Sequence, residues 1–156
     1  MEKIKSEIVA IGEILWDVFP DEKRIGGAPA NFTYYVTRLG VRAALVSRVG
    51  QDSLGVQALA TCQAAGLVTD FIQKDLSHPT GTVRVELDDQ GIPKFQVEKD
   101  VAWDYLEEEE ALFSLVKGAR ALCFGTLAQR HQKSRKVIQQ LLDRAGDRCL
   151  KVLDIN

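Results

Sequence analysis

The sequence predicts an α/β fold with a largely parallel central sheet and a second, smaller sheet that projects from it. Short, continuously apolar runs alternate with amphipathic stretches of helical period along most of the 156 residues. This order is typical of the strands and helices of a layered α/β protein. In the middle of the chain the pattern changes to strict alternation of apolar and polar residues, which indicates strands with one face in solvent.

The composition is that of a globular domain with a core of its own. The chain is 46% hydrophobic and 27% charged, and its net charge of −2 gives no general attraction to nucleic acid or to an anionic membrane. No stretch approaches the roughly 20 apolar residues of a membrane span. Cys62, Cys123 and Cys149 lie in apolar stretches without Cys-x-x-Cys spacing, so we expect buried, reduced thiols, no metal site and a cytoplasmic protein.

The first predicted strand covers residues 8–12, which are apolar throughout. After a half-polar stretch, the segment from Gly26 to Asn31 (Gly-Gly-Ala-Pro-Ala-Asn) leads into a predicted helix. Pro29 fits the first turn of this helix, and Gly40 fits a left-handed stop. The apolar residues of the helix recur at i, i+3, i+4 and i+7, so we expect them to form one buried stripe: Phe32, Tyr35, Val36 and Leu39.

A second strand and helix follow. Residues 43–49 predict another covered strand, and residues 53–65 predict a helix that begins after Asp52 or Ser53 as N-cap and ends before Gly66. We expect its inner face to consist of four small or apolar residues: Leu54, Ala58, Cys62 and Ala65. Residues 71–73 predict a short strand.

The alternating region predicts a small sheet. Apolar and polar residues alternate in 83–88 and again in 94–98, with a turn expected at 88–91, so the two stretches predict an antiparallel hairpin. The stretch 15–25 is also short and half polar. We expect these pieces to pair into one sheet that projects from the main body; an ordinary surface hairpin is the alternative.

The α/β pattern resumes after Trp103. Glu107–Glu110 are expected to place negative charge in the first turn of a helix that ends at Gly118. Residues 121–124 predict a strand, and residues 150–155 predict the last one. Between them lies a predicted helix that ends at Gly146 and is marked by its apolar residues: Val137, Ile138, Leu141, Leu142 and Ala145.

The Gly26–Asn31 segment is the strongest candidate for a ligand site. Two glycines let the backbone approach a ligand closely, and Asn31 lies on the first turn of a helix beside free N–H groups. That arrangement suits a polyhydroxylated or anionic small molecule. A tight strand-to-helix turn that only packs is the alternative. The segment lacks the glycine spacing of a dinucleotide-binding fingerprint and the Gly-Lys-Ser/Thr ending of a P-loop.

Further motifs stand in order around this segment: Gly12 to Asp17, Arg38-Leu39-Gly40, Ser47 to Asp52, Leu54-Gly55 and Thr80-Gly81-Thr82. With them the sequence resembles the ribokinase-like (PfkB-type) sugar kinases, and among these the fructokinases, from about residue 7 to the last residue. The resemblance implies a three-layer α/β/α sheet, the N-terminal half of that fold, and a lid over the sugar formed by residues 14–26 and 80–100.

The resemblance also implies the site residues. Asp17, Gly26, Gly27 and Asn31 match the sugar-contacting positions of the family, and Asp17 lies beyond the first strand, where open α/β sheets bind ligands. Asn156 matches the family's Asp-x-Asn-x-Arg stretch, which begins here at Asp154. Phe95 is expected either to present its ring to the sugar from the lid or to pack under the hairpin.

The family's Gly-Ala-Gly-Asp segment, which supplies the catalytic base, does not occur in the sequence. The resemblance therefore implies the sugar-binding half of a kinase that, when complete, uses ATP and Mg²⁺ to phosphorylate fructose, with no catalytic base in this chain and no activity of the chain alone. Ribose, a ketodeoxy sugar acid or a nucleoside are alternative substrates. A truncated, non-catalytic sugar-binding or regulatory module is the alternative outside enzymes, and a homodimer through the lid is a further expectation.

Overall fold

A computed structural model describes residues 7–87, 90 and 92–155. Four helices and nine strands follow one another in these ranges: β1 Ile8–Ile11, β2 Leu15–Val18, β3 Lys23–Gly26, α1 Ala28–Arg38, β4 Ala43–Gly50, α2 Ser53–Ala64, β5 Ile72–Asp75, β6 Thr82–Leu87, β7 Pro93–Val97, α3 Glu110–Lys117, β8 Ala121–Gly125, α4 Gln132–Arg144 and β9 Leu150–Asp154. A 3₁₀ turn at Ala102–Tyr105 precedes α3, and another at Leu127–Gln129 precedes α4.

The main sheet has five parallel strands in the order β5-β4-β1-β8-β9, so the predicted α/β fold is confirmed. Two apolar cores cover its faces. One core packs on the α1 and α2 side and includes Leu45, Ala58 and Cys62. The other packs on the α3 and α4 side and includes Trp103 and Ile138. Because all five strands run the same way, their carboxyl ends meet at one edge of the sheet, which is where ligands bind in such folds.

The small sheet is also present, with the order β3-β2-β6-β7. Strand β2 pairs with β6 in parallel, and the other two pairings are antiparallel. Val83 and Val85 are buried on one face together with Leu15, whereas Arg84 and Glu86 point to solvent on the other. The period of two therefore identified these strands correctly. Positions 88, 89 and 91 of the expected turn lie outside the described residues.

The buried face of α1 differs from the expected stripe. Its buried residues are Pro29, Ala30 and Thr33, whereas Tyr35 is 66% exposed and Leu39 is 81% exposed. The helix lies against the sheet through its small side: the Thr33 hydroxyl donates to the Pro29 carbonyl at 2.8 Å, so that this polar group is satisfied while buried. Close approach through small residues leaves Tyr35 and Leu39 on the outer surface, whereas Phe32 is partly buried against the core.

The acidic run 107–110 also serves a different purpose from the one expected. Only Glu110 lies inside α3; the three preceding glutamates make contacts with neighbouring elements. Glu107 pairs with Arg48 at 3.0 Å, Glu108 pairs with Lys136 at 3.1 Å, and the Glu109 carboxylate accepts a hydrogen bond from Gln73. These three side chains therefore connect the segment before α3 to β4, β5 and α4.

Helix ends agree with the sequence where a side chain or a left-handed glycine sets them. Asp52 is the N-cap of α2, and its carboxylate accepts from the Gly55 N–H at 2.7 Å. Gly40 and Gly66 both have φ +83° just beyond α1 and α2. Gly118 has φ −94° and is not a left-handed stop, and α4 ends at Arg144 with Ala145 as its cap, ahead of Gly146.

In the described part of the chain, none of the helices has the length and hydrophobicity that crossing a bilayer requires.

Candidate sugar site

A cavity of about 630 Å³ opens at the carboxyl edge of the main sheet, between that edge, the start of α1 and the apolar face of the small sheet. Its volume falls within the range of about 300–1,000 Å³ that is typical of small-molecule sites. The structure brings four of the sequence-predicted residues to this cavity, Asp17, Gly27, Asn31 and Phe95, and Gly26 lies against the Asp17 carboxylate.

Close packing requires glycine at both Gly26 and Gly27, and at Gly27 the backbone conformation requires it as well. Gly27 has φ +104°, and a Cβ there would stand 2.5 Å from the backbone oxygen of Glu13. A Cβ on Gly26 would overlap the Oδ2 atom of Asp17. The loop can therefore lie on the end of β1 and beside the Asp17 carboxylate only because both positions lack a side chain.

Asp17 lies within β2, opposite Arg24 of β3, and not in a turn after β1. Its side chain is half-buried and faces the cavity. Burial raises the pKa of its carboxyl from the usual value, because the charged form loses hydration. A carboxylate at this point can accept hydrogen bonds from neighbouring hydroxyl groups of a ligand.

Asn31 lies in the first turn of α1 and is exposed at the cavity wall. The expectation that the helix N–H groups beside it are free is wrong for Ala28, whose N–H donates to the Glu13 Oε1 atom at 3.2 Å. The helix has no cap from the side chain of its own N-cap residue, Gly27, and no acidic residue in its first turn. Glu13, two residues beyond β1, therefore provides the acceptor that the helix itself lacks.

Sequence reasoning missed Glu13, which is only 3% exposed and lines the same cavity. Burial raises the pKa of its carboxyl above the usual range and nearby Asp154 raises it further, whereas backbone N–H groups and Arg130 act in the opposite direction. The signal that could have found it is an acidic residue inside an otherwise apolar run, since a buried carboxyl is costly and rare without a purpose.

Phe95 does not pack under the hairpin. It stands opposite Val85 on the apolar face of the small sheet, is 63% exposed and faces the cavity. Asp154, at the end of β9, lines the opposite wall, while Asn156 lies outside the described residues.

Other aromatic and ionisable side chains lie away from the cavity. Trp103 is fully buried in the core, and Arg84 points to solvent. His78 has a carboxylate neighbour, because its Nδ1 atom lies 3.1 Å from the Asp75 Oδ2 atom. Its ring stacks on Tyr105 with centroids 3.6 Å apart, and His131 contacts the same tyrosine. These histidines form an aromatic cluster separate from the cavity.

The cavity suits a neutral polyol and does not fit ATP. Three carboxyl groups line it, those of Glu13, Asp17 and Asp154, and among its described lining residues none is Lys or Arg. A triphosphate placed here would face carboxylates without a compensating side-chain cation. Within the described ranges, no three His, Cys, Asp or Glu residues come together in a group that could hold a metal ion.

Fold and cavity together define a ribokinase-like α/β domain with a small sheet above its ligand edge. Residues 6–154 match the pfkB family of carbohydrate kinases. The chain belongs to this family.

Three relatives illustrate the similarity. An uncharacterized sugar kinase from Pyrococcus horikoshii is 29% identical over 100% of this chain and 54% of that protein. Its structure in complex with ATP superposes with a TM-score of 0.86 over 96% of this chain and 53% of that chain, at 30% identity. A fructokinase from Vibrio alginolyticus is 35% identical over 58% of this chain and 31% of that protein.

A fructokinase from Vibrio cholerae, in a form with fructose, ADP and calcium bound, superposes with a TM-score of 0.77 and 26% identity over 96% of this chain and 50% of that chain. The chain thus spans about half the length of the Pyrococcus and Vibrio cholerae proteins, and the part of it that matches the Vibrio alginolyticus protein covers about a third of that one.

Proposed function

We propose that this chain is the sugar-binding half of a carbohydrate kinase that, as a complete enzyme, transfers the γ-phosphate of Mg-ATP to a hydroxyl group of fructose. The observation that carries the proposal is the convergence of Asp17, Gly27, Asn31 and Phe95 on one cavity whose described lining residues include no Lys or Arg, in a member of the pfkB family. Fructose is favoured as substrate because several relatives are named fructokinases.

In this proposal each residue has a distinct role. The Asp17 carboxylate accepts hydrogen bonds from two sugar hydroxyls, each contributing roughly 1.5–3 kcal/mol as a charge-assisted bond. Asn31 offers both a donor and an acceptor. Gly26 and Gly27 let the loop approach the ring, and Phe95 covers its apolar face. The small sheet, with segments 14–26 and 80–100, acts as the lid, and Asn156 contributes from beyond the end of β9.

ATP and Mg²⁺ belong to the complete enzyme. The Pyrococcus relative binds ATP, but the cavity described here does not fit it, and the sequence lacks the Gly-Ala-Gly-Asp segment that would carry the base. We therefore expect no turnover by the chain alone. Support comes from β9, an edge strand that exposes Val152, Leu153 and the following Ile155, a surface suited to packing against the second half of such an enzyme.

Titration of fructose into the purified chain by calorimetry tests the proposal. We expect saturable binding by the wild type and loss of most of that affinity in Asp17→Asn, with an unchanged circular dichroism spectrum. Equal affinity of the two proteins would remove Asp17 from the site. Ribose, a ketodeoxy sugar acid and a nucleoside, titrated in parallel, test the alternative substrates.

An ATP-coupled assay separates half of a kinase from a non-catalytic binding module. A longer chain with a Gly-Ala-Gly-Asp segment should turn over, and the 156-residue chain should not exceed a no-protein control. Sugar binding by a chain that has no active longer form would instead favour the binding or regulatory module, which the missing base makes the second candidate. A cytoplasmic location and a homodimer through the small sheet complete the proposal.

A further inference from the structure

Glu13 occupies an unusual position for a carboxyl group. It follows Gly12 at the end of β1, is 3% exposed, and lies under the loop that carries Gly27. Its Oε1 atom accepts the N–H of Ala28, the first residue of α1. Because the N-cap of that helix has no side-chain acceptor, removal of Glu13 would leave the Ala28 N–H without its protein partner at the wall of the cavity.

The second carboxyl oxygen of Glu13 favours the neutral, protonated form. Oε2 is buried and has no hydrogen-bond partner among the described residues. An ionised carboxylate in this position would hold a charge away from water, which is far more costly than holding a neutral carboxyl there. The charged groups that face it from other elements are Asp154, Arg130 and, across the cavity, Asp17.

We propose that Glu13 is a positioning residue of the sugar site: with a proton on Oε2, its carboxyl holds the first turn of α1, and through it Gly27 and Asn31, against the end of β1. The part of this inference that concerns the sugar rests on the proposed function. The part that concerns the α1 loop does not, because it can be measured without a ligand.

The inference predicts different results for two substitutions of Glu13, by Gln and by Ala. Glu13→Gln keeps an acceptor at Oε1 and is always neutral, so it imitates the protonated side chain. Glu13→Ala removes the acceptor. If the side chain only filled space, neither substitution would change the Ala28 N–H, and if it acted as an ionised cap, Glu13→Gln would weaken that hydrogen bond as well.

The first measurement is amide hydrogen exchange of the ligand-free chain, followed by NMR. We expect the Ala28 N–H to exchange at least about tenfold faster in Glu13→Ala and within about twofold of the wild type in Glu13→Gln, as loss of one buried hydrogen bond implies. Unchanged exchange in Glu13→Ala would overturn the positioning role. Equal acceleration in both variants would overturn the protonated state.

The second measurement is fructose affinity as a function of pH. Ionisation of Asp17 should strengthen binding as pH rises, and ionisation of Glu13 should weaken it at higher pH, because the neutral form is the one that fits. Glu13→Gln should keep the rising limb and lose the falling one, and Glu13→Ala should bind about tenfold more weakly. A falling limb that persists in Glu13→Gln contradicts the inference.

A wild-type chain that binds no sugar would contradict the proposed function. The exchange experiment would still show whether Glu13 positions the first turn of α1. If Glu13→Ala fails to fold, the wild type can be labelled with ¹³C-glutamate. The chemical shift of the Glu13 carboxyl carbon is then followed by NMR as the pH is changed. A Glu13 carboxyl that titrates above the ordinary glutamate pKa supports the inference, and one that titrates at or below that value overturns it.

Discussion

Arg130 and Asp104 form a two-pronged ion pair at the base of the small sheet. The Arg130 Nε and Nη2 atoms donate to the two carboxylate oxygens of Asp104 at 2.8 and 2.7 Å, and Nη2 also donates to the carbonyl of Glu98, just after β7. The guanidinium lies over the ring of Trp103 at 4.1 Å. A Cβ on Gly81, just before β6, would overlap the indole Nε1 of that tryptophan. This group therefore holds both ends of the hairpin.

Arg130→Ala should destabilise the fold, because it leaves Asp104, which is 1% exposed, without its cation. Breaking a buried pair from one side costs about 3 kcal/mol or more. Urea denaturation measures this free energy of unfolding. Arg120→Ala is the matched control: Arg120 pairs with Glu7 at 3.0 Å but is 81% exposed, and its loss should cost at most about 1 kcal/mol. Equal costs for the two variants would contradict a role for Arg130 in holding the hairpin.

Gly26→Ala should lower the affinity for sugar more than it lowers the stability of the fold. Its new methyl group would overlap the Asp17 carboxylate, which must then move from its place at the cavity wall. A displacement that loses one charge-assisted hydrogen bond corresponds to about a tenfold or greater loss of affinity. Calorimetric titration with fructose measures it. Gly118→Ala serves as control, because the nearest atom to its Cβ would be 3.8 Å away.

Asp52 links three parts of the main body through its carboxylate. Besides capping α2, it accepts the N–H of Thr80 at 2.7 Å and the Thr80 hydroxyl at 2.7 Å, and that hydroxyl in turn accepts the N–H of Gly50 at 3.0 Å. Burial acts to raise the pKa of Asp52, but these hydrogen bonds, together with the Gly55 N–H, outweigh it and the pKa is lowered. The charged carboxylate is therefore the form that the fold favours.

Asp52→Ala should cost about 1–2 kcal/mol of unfolding free energy at neutral pH, as loss of an N-cap does. Because the folded-state pKa is depressed, the contribution is present above the unfolded aspartate pKa and is lost as pH falls through the folded value. The wild type should therefore lose more stability than Asp52→Ala between pH 5 and pH 3, values that bracket the ordinary aspartate pKa of about 3.9. Asp70→Ala, at an exposed aspartate, is the control, and parallel acid profiles of wild type and Asp52→Ala would refute the prediction.

The sequence predicted those parts of the fold that local patterns determine. Strands, helices and the small sheet follow from periodicity, and Asp52, Gly40 and Gly66 were identified because caps act over a few residues. The buried face of α1 was not predictable in this way, because close packing of Ala30 and Thr33 on the sheet overrides the apolar repeat of the helix.

The same limit applies to the candidate site. Asp17 and the Gly26–Asn31 segment were found from motifs, whereas Glu13 acts through Ala28, 15 residues along the chain. Only folding brings β1 to the start of α1, so no local spacing marks that pair. The Arg130–Asp104 pair, whose members are 26 residues apart in the sequence, was not predicted for the same reason.

Phe95→Ala should lower sugar affinity while leaving the fold nearly as stable as before. The ring is 63% exposed in the ligand-free chain, so its removal deletes little buried area. If it covers the apolar face of a bound sugar, truncation should weaken binding about three- to tenfold, the equivalent of one aromatic contact of roughly 0.5–1.5 kcal/mol. Calorimetric titration and thermal denaturation of the same samples separate affinity from stability.

Gln96→Ala provides the control for Phe95→Ala, because Gln96 is the next residue of β7 and points to the opposite, solvent-exposed face, where it stands across from Arg84. Both variants shorten a side chain of the same strand, so any general weakening of the hairpin should appear in both. A loss of fructose affinity confined to Phe95→Ala assigns the effect to the face that the ring occupies. Equal affinities in both variants would show that the ring does not contact the sugar, and a large fall in melting temperature in Phe95→Ala alone would show that it stabilises the hairpin.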